Sequence, residues 1–250
     1  FAGLLTKVGV YALFRVFTLL FVDGPSQLMT MLLTMSVGTM VIGLIVAQRE
    51  HDFRRILSFN LVGHIGYTTA SLALLTPMAL AGAIFYVLHH IIVITNLFLV
   101  SGVLLRLRRT TDMRGLGGLY RGHPLFAALA MVPIFSLAGV PPLSGFLGKL
   151  AILEGAFEAR AYGVGALVLV VGLLTVVSMG RTWADAFWAP SSGPDRGTPG
   201  TPLLIAIAGL GAVTLAITAV AGPLFDLTLR AAHQLLQREE YIRIVLGGTP

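Results

Sequence analysis

Residues 124–158 read PLFAALAMVPIFSLAGVPPLSGFLGKLAILEGAFE, and this stretch decides the fold. It is apolar for more than thirty residues, which as one helix would measure about 50 Å. A hydrocarbon core is only about 30 Å thick. Pro141 and Pro142 stand in the middle of the run; each lacks a backbone donor, and together they bar regular helix just before them. The pattern therefore predicts a helix broken within a membrane, with Lys149 one to two turns past the break. Discontinuous helices are tolerated at membrane depth where they line a polar cavity, and such breaks mark transport sites.

The rest of the chain agrees with a membrane setting. Hydrophobic residues make up 56% of the 250 residues and charged residues 11%, with a mean hydropathy of +0.88. An ordinary soluble domain carries about 25% charged residues. The fold class expected is all-α, a polytopic transmembrane helix bundle of about seven spans forming a single domain over residues 1–250, because lipid offers no partner for a strand edge. The absence of cysteine removes disulfides, thiolate nucleophiles and Cys-ligated metal centres. The net charge of +6 comes from arginines lying mostly between apolar runs, so it reads as topology, and no nucleic-acid partner is expected. Phe1 already lies within an apolar run, so the sequence reads as a piece whose N-terminal part precedes it.

Punctuation places the spans at about residues 1–22, 27–48, 53–75, 78–107, the broken run 124–157, 161–187 and 203–236. Asp23-Gly24-Pro25 stops the first, Asp52 is the expected N-cap of the third, and Thr76-Pro77 separates the third from the fourth. Residues 106–123 form a basic connector and residues 189–202 a Ser/Gly/Pro loop. If the connections 49–52, 106–123 and 189–202 share one side, that side holds Arg49, Arg54, Arg55, Arg106, Arg108, Arg109, Arg114, Arg121 and Arg196. Mainly Arg160, Arg238 and Arg243 remain opposite, so the positive-inside rule puts the first side in the cytoplasm and the C-terminus outside.

Ionisable groups at membrane depth are functional candidates. The chain has only two lysines, Lys7 and Lys149, and both sit in apolar runs. A desolvated lysine can release and rebind its proton, as arginine cannot; the plain alternative is snorkelling to the headgroups. On the fourth span, His90 lies one turn from Tyr86, and Asn96 two turns from His89. Histidine titrates near pH 6.5 and suits a proton relay, while two packing histidines are the structural alternative. His64 stands between Gly63 and Gly66, residues that also signal close helix packing. Paired histidines raise the question of a metal or haem, but no carboxylate lies near them in sequence, so no metal and no cofactor are expected. Glu154 either lines an exit path from Lys149 or marks the water-facing end of its helix, with Glu158 beyond it. Arg181 and Asp185, spaced i, i+4 beside Trp183 and Trp188, read as an interfacial ion pair.

GLLTKVGVYALFRVFTLLF (residues 3–21), DFRRILSFNLVGHIGY (52–67), SLAGVPPLSGFLGKLAILEGAFEA (136–159) and VVGLLTVVSMGRTWADAFW (170–188) together resemble the D subunits of Mrp (multiple resistance and pH) cation/proton antiporters. These belong with the antiporter-like subunits of respiratory complex I. The resemblance implies a fourteen-helix fold of two inverted repeats, of which this chain supplies helices eight to fourteen. It implies that Lys7 is the lysine of the eighth helix, His90 the histidine of the eleventh and Lys149 the lysine of the broken twelfth. Where many complex I relatives carry a lysine four residues after that histidine, this chain has Ile94, which leaves His90, His89, Tyr86 and water to bridge Lys7 and Lys149. The implied activity is proton transfer within a multisubunit antiporter for sodium, with the other Mrp subunits as partners, the bilayer as solvent, and the bacterial cytoplasmic membrane as location. No bond is made, so no enzyme in the strict sense is expected. Two alternatives are a proton-pumping membrane subunit of an NADH–quinone oxidoreductase or membrane hydrogenase, and a structural scaffold subunit. The Thr6-Lys7-Val8-Gly9-Val10-Tyr11 context and the pattern around Trp183 favour Mrp over the first.

Overall fold

The computed structural model describes residues 2–21, 26–190, 193–237, 239 and 241–243. The turn expected at Asp23-Gly24-Pro25 and the charge of Arg238 lie outside the described residues. The helices are α1 (Ala2–Leu19), α2 (Ser26–Arg49), α3 (Phe53–Leu74), α4 (Pro77–Arg108), the short α5 (Leu119–Gly122), α6 (Pro124–Ala138), α7 (Ser144–Glu158), α8 (Tyr162–Trp183), α9 (Thr201–Ala219) and α10 (Ala221–Leu236). Four segments are long and apolar enough by themselves to cross a bilayer: Gln27–Arg49, Pro77–Arg108, Tyr162–Trp188 and Thr201–Ala219. α1 and α3 carry arginine or lysine within their length, and the broken pair α6 and α7 divides one crossing between two 15-residue helices. The chain is a multi-pass membrane helix bundle.

Burial is distributed as lipid requires. Leu20, Met35, Leu173 and Ile205 are exposed on the outside, whereas Lys7, His64, His89, His90, Asn96 and Lys149 are buried within. α4 runs through the centre, and its 32 residues extend about 48 Å. α2 and α3 press together through glycines: a Cβ on Gly43 would stand 2.4 Å from the Gly63 nitrogen, and one on Gly66 2.6 Å from the Met40 nitrogen. Gly63 and Gly66 thus serve packing, as small residues do between membrane helices, while His64 between them faces inward.

The seventh span differs from expectation. Residues 203–236 do not form one helix; α9 ends at Ala219 and α10 starts at Ala221. Gly222 and Phe225 border Phe85 and Ala151, while Ala231 and Leu235 border Ile84, Val87 and Leu88. The inner face of α10 packs against Leu80, Ala81, Ala83, Ile84 and Val87 of α4. Its sequence explains this: Phe225, Leu229 and Leu235 pack inward, and Asp226, Arg230 and His233 face out. That amphipathic pattern suits an interface more than a crossing.

One end of the bundle is welded from three loops. The Phe53 amide donates to the Thr111 carbonyl at 2.9 Å, Met113 to His51 at 2.8 Å, Gly118 to Ala189 at 2.7 Å and Arg196 to Leu107 at 2.8 Å. Arg108 and His123 both meet Asp195, at 3.3 and 3.0 Å. The connections grouped by arginine content do share one face. Arg181 and Asp185 pair at 3.6 Å, both largely exposed, which adds little stability.

Asp52 caps α3, accepting from the Arg54 and Arg55 amides at 3.0 and 3.1 Å, and Thr111 Oγ1 donates to its other oxygen. Burial pushes this carboxyl up, but the bonds from Thr111, Arg55 and Arg54 and the Arg55 charge outweigh burial and hold it below its ordinary value. A depressed carboxyl stabilises above its unfolded value, and that stability is lost as pH falls through the folded one. Asp52→Ala is expected to cost about 1 kcal/mol at neutral pH. In thermal melts of the detergent-solubilised protein, the deficit should shrink below the ordinary carboxyl range, where the wild type loses the same contribution.

Candidate functional site

The site grows out of the break between α6 and α7. Gly139 ends α6 in the left-handed conformation, φ 84°, which glycine adopts without strain. The last four carbonyls of a helix lack intrahelical partners, and here each finds one. The Gly139 and Val140 amides reach the Phe135 carbonyl, and the Gly139 amide also reaches Ser136, all at 3.1 Å. The two that remain are taken by Lys149: its Nζ donates to the Ala138 carbonyl at 2.8 Å and to Leu137 at 3.3 Å. The lysine side chain thus folds back from α7 over the stump of α6. It does not snorkel; it is 9% exposed.

Around it stands a polar cluster that α3, α4, α6 and α7 build together. Lys149 Nζ lies 5.8 Å from the Tyr67 ring centroid. Tyr67 packs at 6.2 Å from Tyr86, whose ring lies 5.5 Å from His89, 5.8 Å from His90 and 5.5 Å from His64. His90 Nε2 and His64 Nδ1 are 3.0 Å apart. His89 Nδ1 is 2.9 Å from Ser144 Oγ, which is 3.3 Å from Ser136 Oγ. Lys7 Nζ donates to Thr6 Oγ1 at 3.4 Å and sits 6% exposed on the inner side of α1. Tyr86 Oη, His64 Nε2, His89 Nε2 and His90 Nδ1 are buried without a hydrogen-bond partner. Buried polar atoms are almost always satisfied by protein or water, and these four have no partner among the described residues.

Lys7 is buried on α1, lining a cavity with Ile84, Val87 and Leu88, and five of the seven residues singled out by sequence converge here: His64, Tyr86, His89, His90 and Lys149. Glu154 does not. It is exposed, on the far side of α7 from Lys149, at the edge of a cavity with Phe85, Leu150 and Phe225; five residues carry it about 140° around the helix. Asn96 also leaves the cluster, donating to the Ile207 carbonyl of α9 at 3.2 Å. Ile94 is fully buried, and a Cβ on Gly3 would stand 2.8 Å from its Cγ2, so an apolar contact with α1 occupies that position.

Sequence reasoning missed Ser136, Ser144 and Tyr67. The other buried hydroxyls at Thr175, Thr182 and Ser71 bond back to their own helices, the ordinary fate of such residues. Ser136 and Ser144 differ because the break faces them toward one another; their flanking of the Gly-Val-Pro-Pro turn was the available signal. Tyr67 had none, since it differs from other buried tyrosines only in its neighbours. Its hydroxyl donates to the Val168 carbonyl at 2.9 Å.

Comparison with known proteins gives consistent matches. The family model described as NADH:quinone oxidoreductase/Mrp antiporter, transmembrane, matches residues 1–178. The D subunit of the Na(+)/H(+) antiporter of Alkalihalophilus pseudofirmus is 41% identical over 248 residues, 98% of this chain and 50% of that protein. Among solved structures, a chain of the Mrp complex from a Dietzia species superposes with a TM-score of 0.90 at 30% identity, over 98% of this chain and 54% of that one. A chain of Thermus thermophilus respiratory complex I superposes with a TM-score of 0.81 at 25% identity, over 92% and 50%. The chain spans about half the length of the curated relatives it matches.

Proposed function

Since the chain belongs to the NADH:quinone oxidoreductase/Mrp antiporter family of membrane subunits, we propose that it moves protons within a multisubunit antiporter that exchanges sodium for protons. The observation that carries this reading is the buried cluster of Lys149, Tyr67, Tyr86, His89, His90 and His64, with Lys7 buried on α1, which packs against α4. Lysine and histidine exchange protons, and each lysine's protonation changes the field at the histidines between them. The four orphan polar atoms are where mobile water completes the relay. Ser144 orients His89 by holding one ring nitrogen, which leaves the other for transfer.

The distribution of arginine supports the setting. The three welded loops form the arginine-rich end and would face the cytoplasm of a bacterial cell, with α9 leading outward. The partners are the other subunits of an Mrp complex, as the relatives' naming supports. Glu154, at the outer surface of α7, has no part in the inner relay and is available to an exit path. A second reading, a membrane subunit of a redox-driven pump, is favoured by the likeness to complex I; it shares the relay and differs in what drives it.

The experiment is sodium-driven proton movement in everted vesicles containing the whole complex, comparing wild type with Lys7→Ala/Lys149→Ala at matched assembly. We expect antiport to fall to background. Unchanged antiport in an intact complex would reduce the chain to a scaffold. A wild-type complex that moves protons only when a redox partner turns over would establish the second reading.

A further inference from the structure

Between α1, α4 and α10 lies a cavity of 510 Å³, within the range of about 300–1,000 Å³ typical of sites for small ligands. Its walls are mostly apolar, including Phe14, Leu88 and Leu235. Among its polar groups, Tyr11 and Tyr241 stand against Arg15. The Arg15 Nε donates to Tyr11 Oη at 3.0 Å, and the guanidinium lies 5.6 Å from the Tyr11 ring centroid and 5.1 Å from that of Tyr241. Among the described residues the lining contains no acid and Arg15 forms no ion pair. A permanent cation framed by two tyrosines, opening onto an apolar slot, is complementary to a molecule with an anionic head and a hydrocarbon tail.

We infer that this cavity binds an anionic phospholipid, its phosphate against Arg15, Tyr11 and Tyr241 and one acyl chain between Leu88 and Leu235. α10 supports the assignment. Amphipathic, it gives the cavity an apolar wall through Leu235 while Arg230 and His233 stay exposed outside. A neutral amphiphile would leave Arg15 without a counter-ion, and an acyl chain alone would leave the Arg–Tyr frame unused. Lys7 forms part of the inner wall, so a bound chain also keeps bulk water from that amine. The site is separate from the proposed relay in every other residue, and its binding test stands whether or not the chain transports protons.

These 250 residues hold no cysteine, so Leu88→Cys adds one known labelling position to them. The complex is labelled there with a fluorophore, corrected against the same complex without the added cysteine, and placed in nanodiscs with brominated phosphatidylglycerol or brominated phosphatidylcholine. Half-maximal quenching is expected at about tenfold lower mole fraction for the anionic lipid, a preference equivalent to about 1.4 kcal/mol. Arg15→Gln should erase the preference while leaving quenching by the neutral lipid unchanged. Leu235→Cys provides a second position if Leu88→Cys fails to assemble. Equal quenching by both lipids in the wild type, or a preference that survives Arg15→Gln, would overturn the assignment. Absence of quenching by either lipid would overturn it also, since protein would then fill the cavity.

Discussion

Lys149→Arg is expected to abolish cation-driven proton movement while leaving the protein folded and assembled. The Lys149 amine does two things at once. It closes the C-terminus of α6 by donating to the Leu137 and Ala138 carbonyls, and in the proposed relay it releases and accepts a proton. Arginine separates these tasks, because it keeps a fixed positive charge and several donors but does not deprotonate in proteins. Activity should fall by about a hundredfold or more, the scale of removing a positioned acid–base group. Lys149→Ala would remove the donors as well, exposing two buried carbonyls at a cost of about 1–3 kcal/mol each, so it mixes a folding loss with a transport loss. The measurement is vesicle antiport normalised to assembled complex on native gels. Wild-type antiport in the arginine variant would show that Lys149 is a fixed helix cap and would remove it from the proton path.

Gly145→Ala should have the largest structural effect of any single methyl group added at the site. An ideal Cβ there would stand 2.0 Å from the Ser136 carbonyl oxygen and 3.0 Å from His89 Nε2. The oxygen belongs to the backbone of α6, so relief requires α6 and α7 to separate, moving Ser144 away from His89 and Lys149 from its carbonyls. Overpacking of this kind costs typically about 1–3 kcal/mol, and more where backbone must shift. We expect assembled complex to fall several-fold, with reduced antiport in the fraction that assembles. Gly180→Ala is the matched control: a Cβ there meets nothing within 4 Å, and alanine in a helix interior is favoured over glycine by about 1 kcal/mol. Equal effects of the two substitutions would mean that the α6–α7 junction is looser than its geometry states.

Much of the site was legible along the chain because membranes make polarity conspicuous. Two lysines in apolar runs, a histidine pair and a double proline stand out against Leu, Val and Ala, and each departure from apolarity costs enough to need a reason. The resemblance to antiporter-like subunits rests on these same positions. What failed to read is equally specific. The run 203–236 reads as one long span despite Asp226, Arg230 and His233 in its second half, and only Gly222-Pro223 with a change of periodicity near Asp226 hinted that α10 is a separate helix. Glu154, expected at an exit path or at the water-facing end of its helix, is exposed on the far side of α7 from Lys149, which fits either.

The sequence by itself determined the class, the break and the identity of the titratable groups, because hydropathy, the missing proline donors and the scarcity of lysine are local properties that no partner changes. Only the tertiary structure decided what those groups face. That Lys149 completes the carbonyls of α6, that His90 meets His64 across 26 positions of sequence, and that Arg15 looks into a cavity beneath α10 all depend on helices brought together by packing. Hydrogen bonds and charges act over a few ångströms, and separation along the chain carries no record of them.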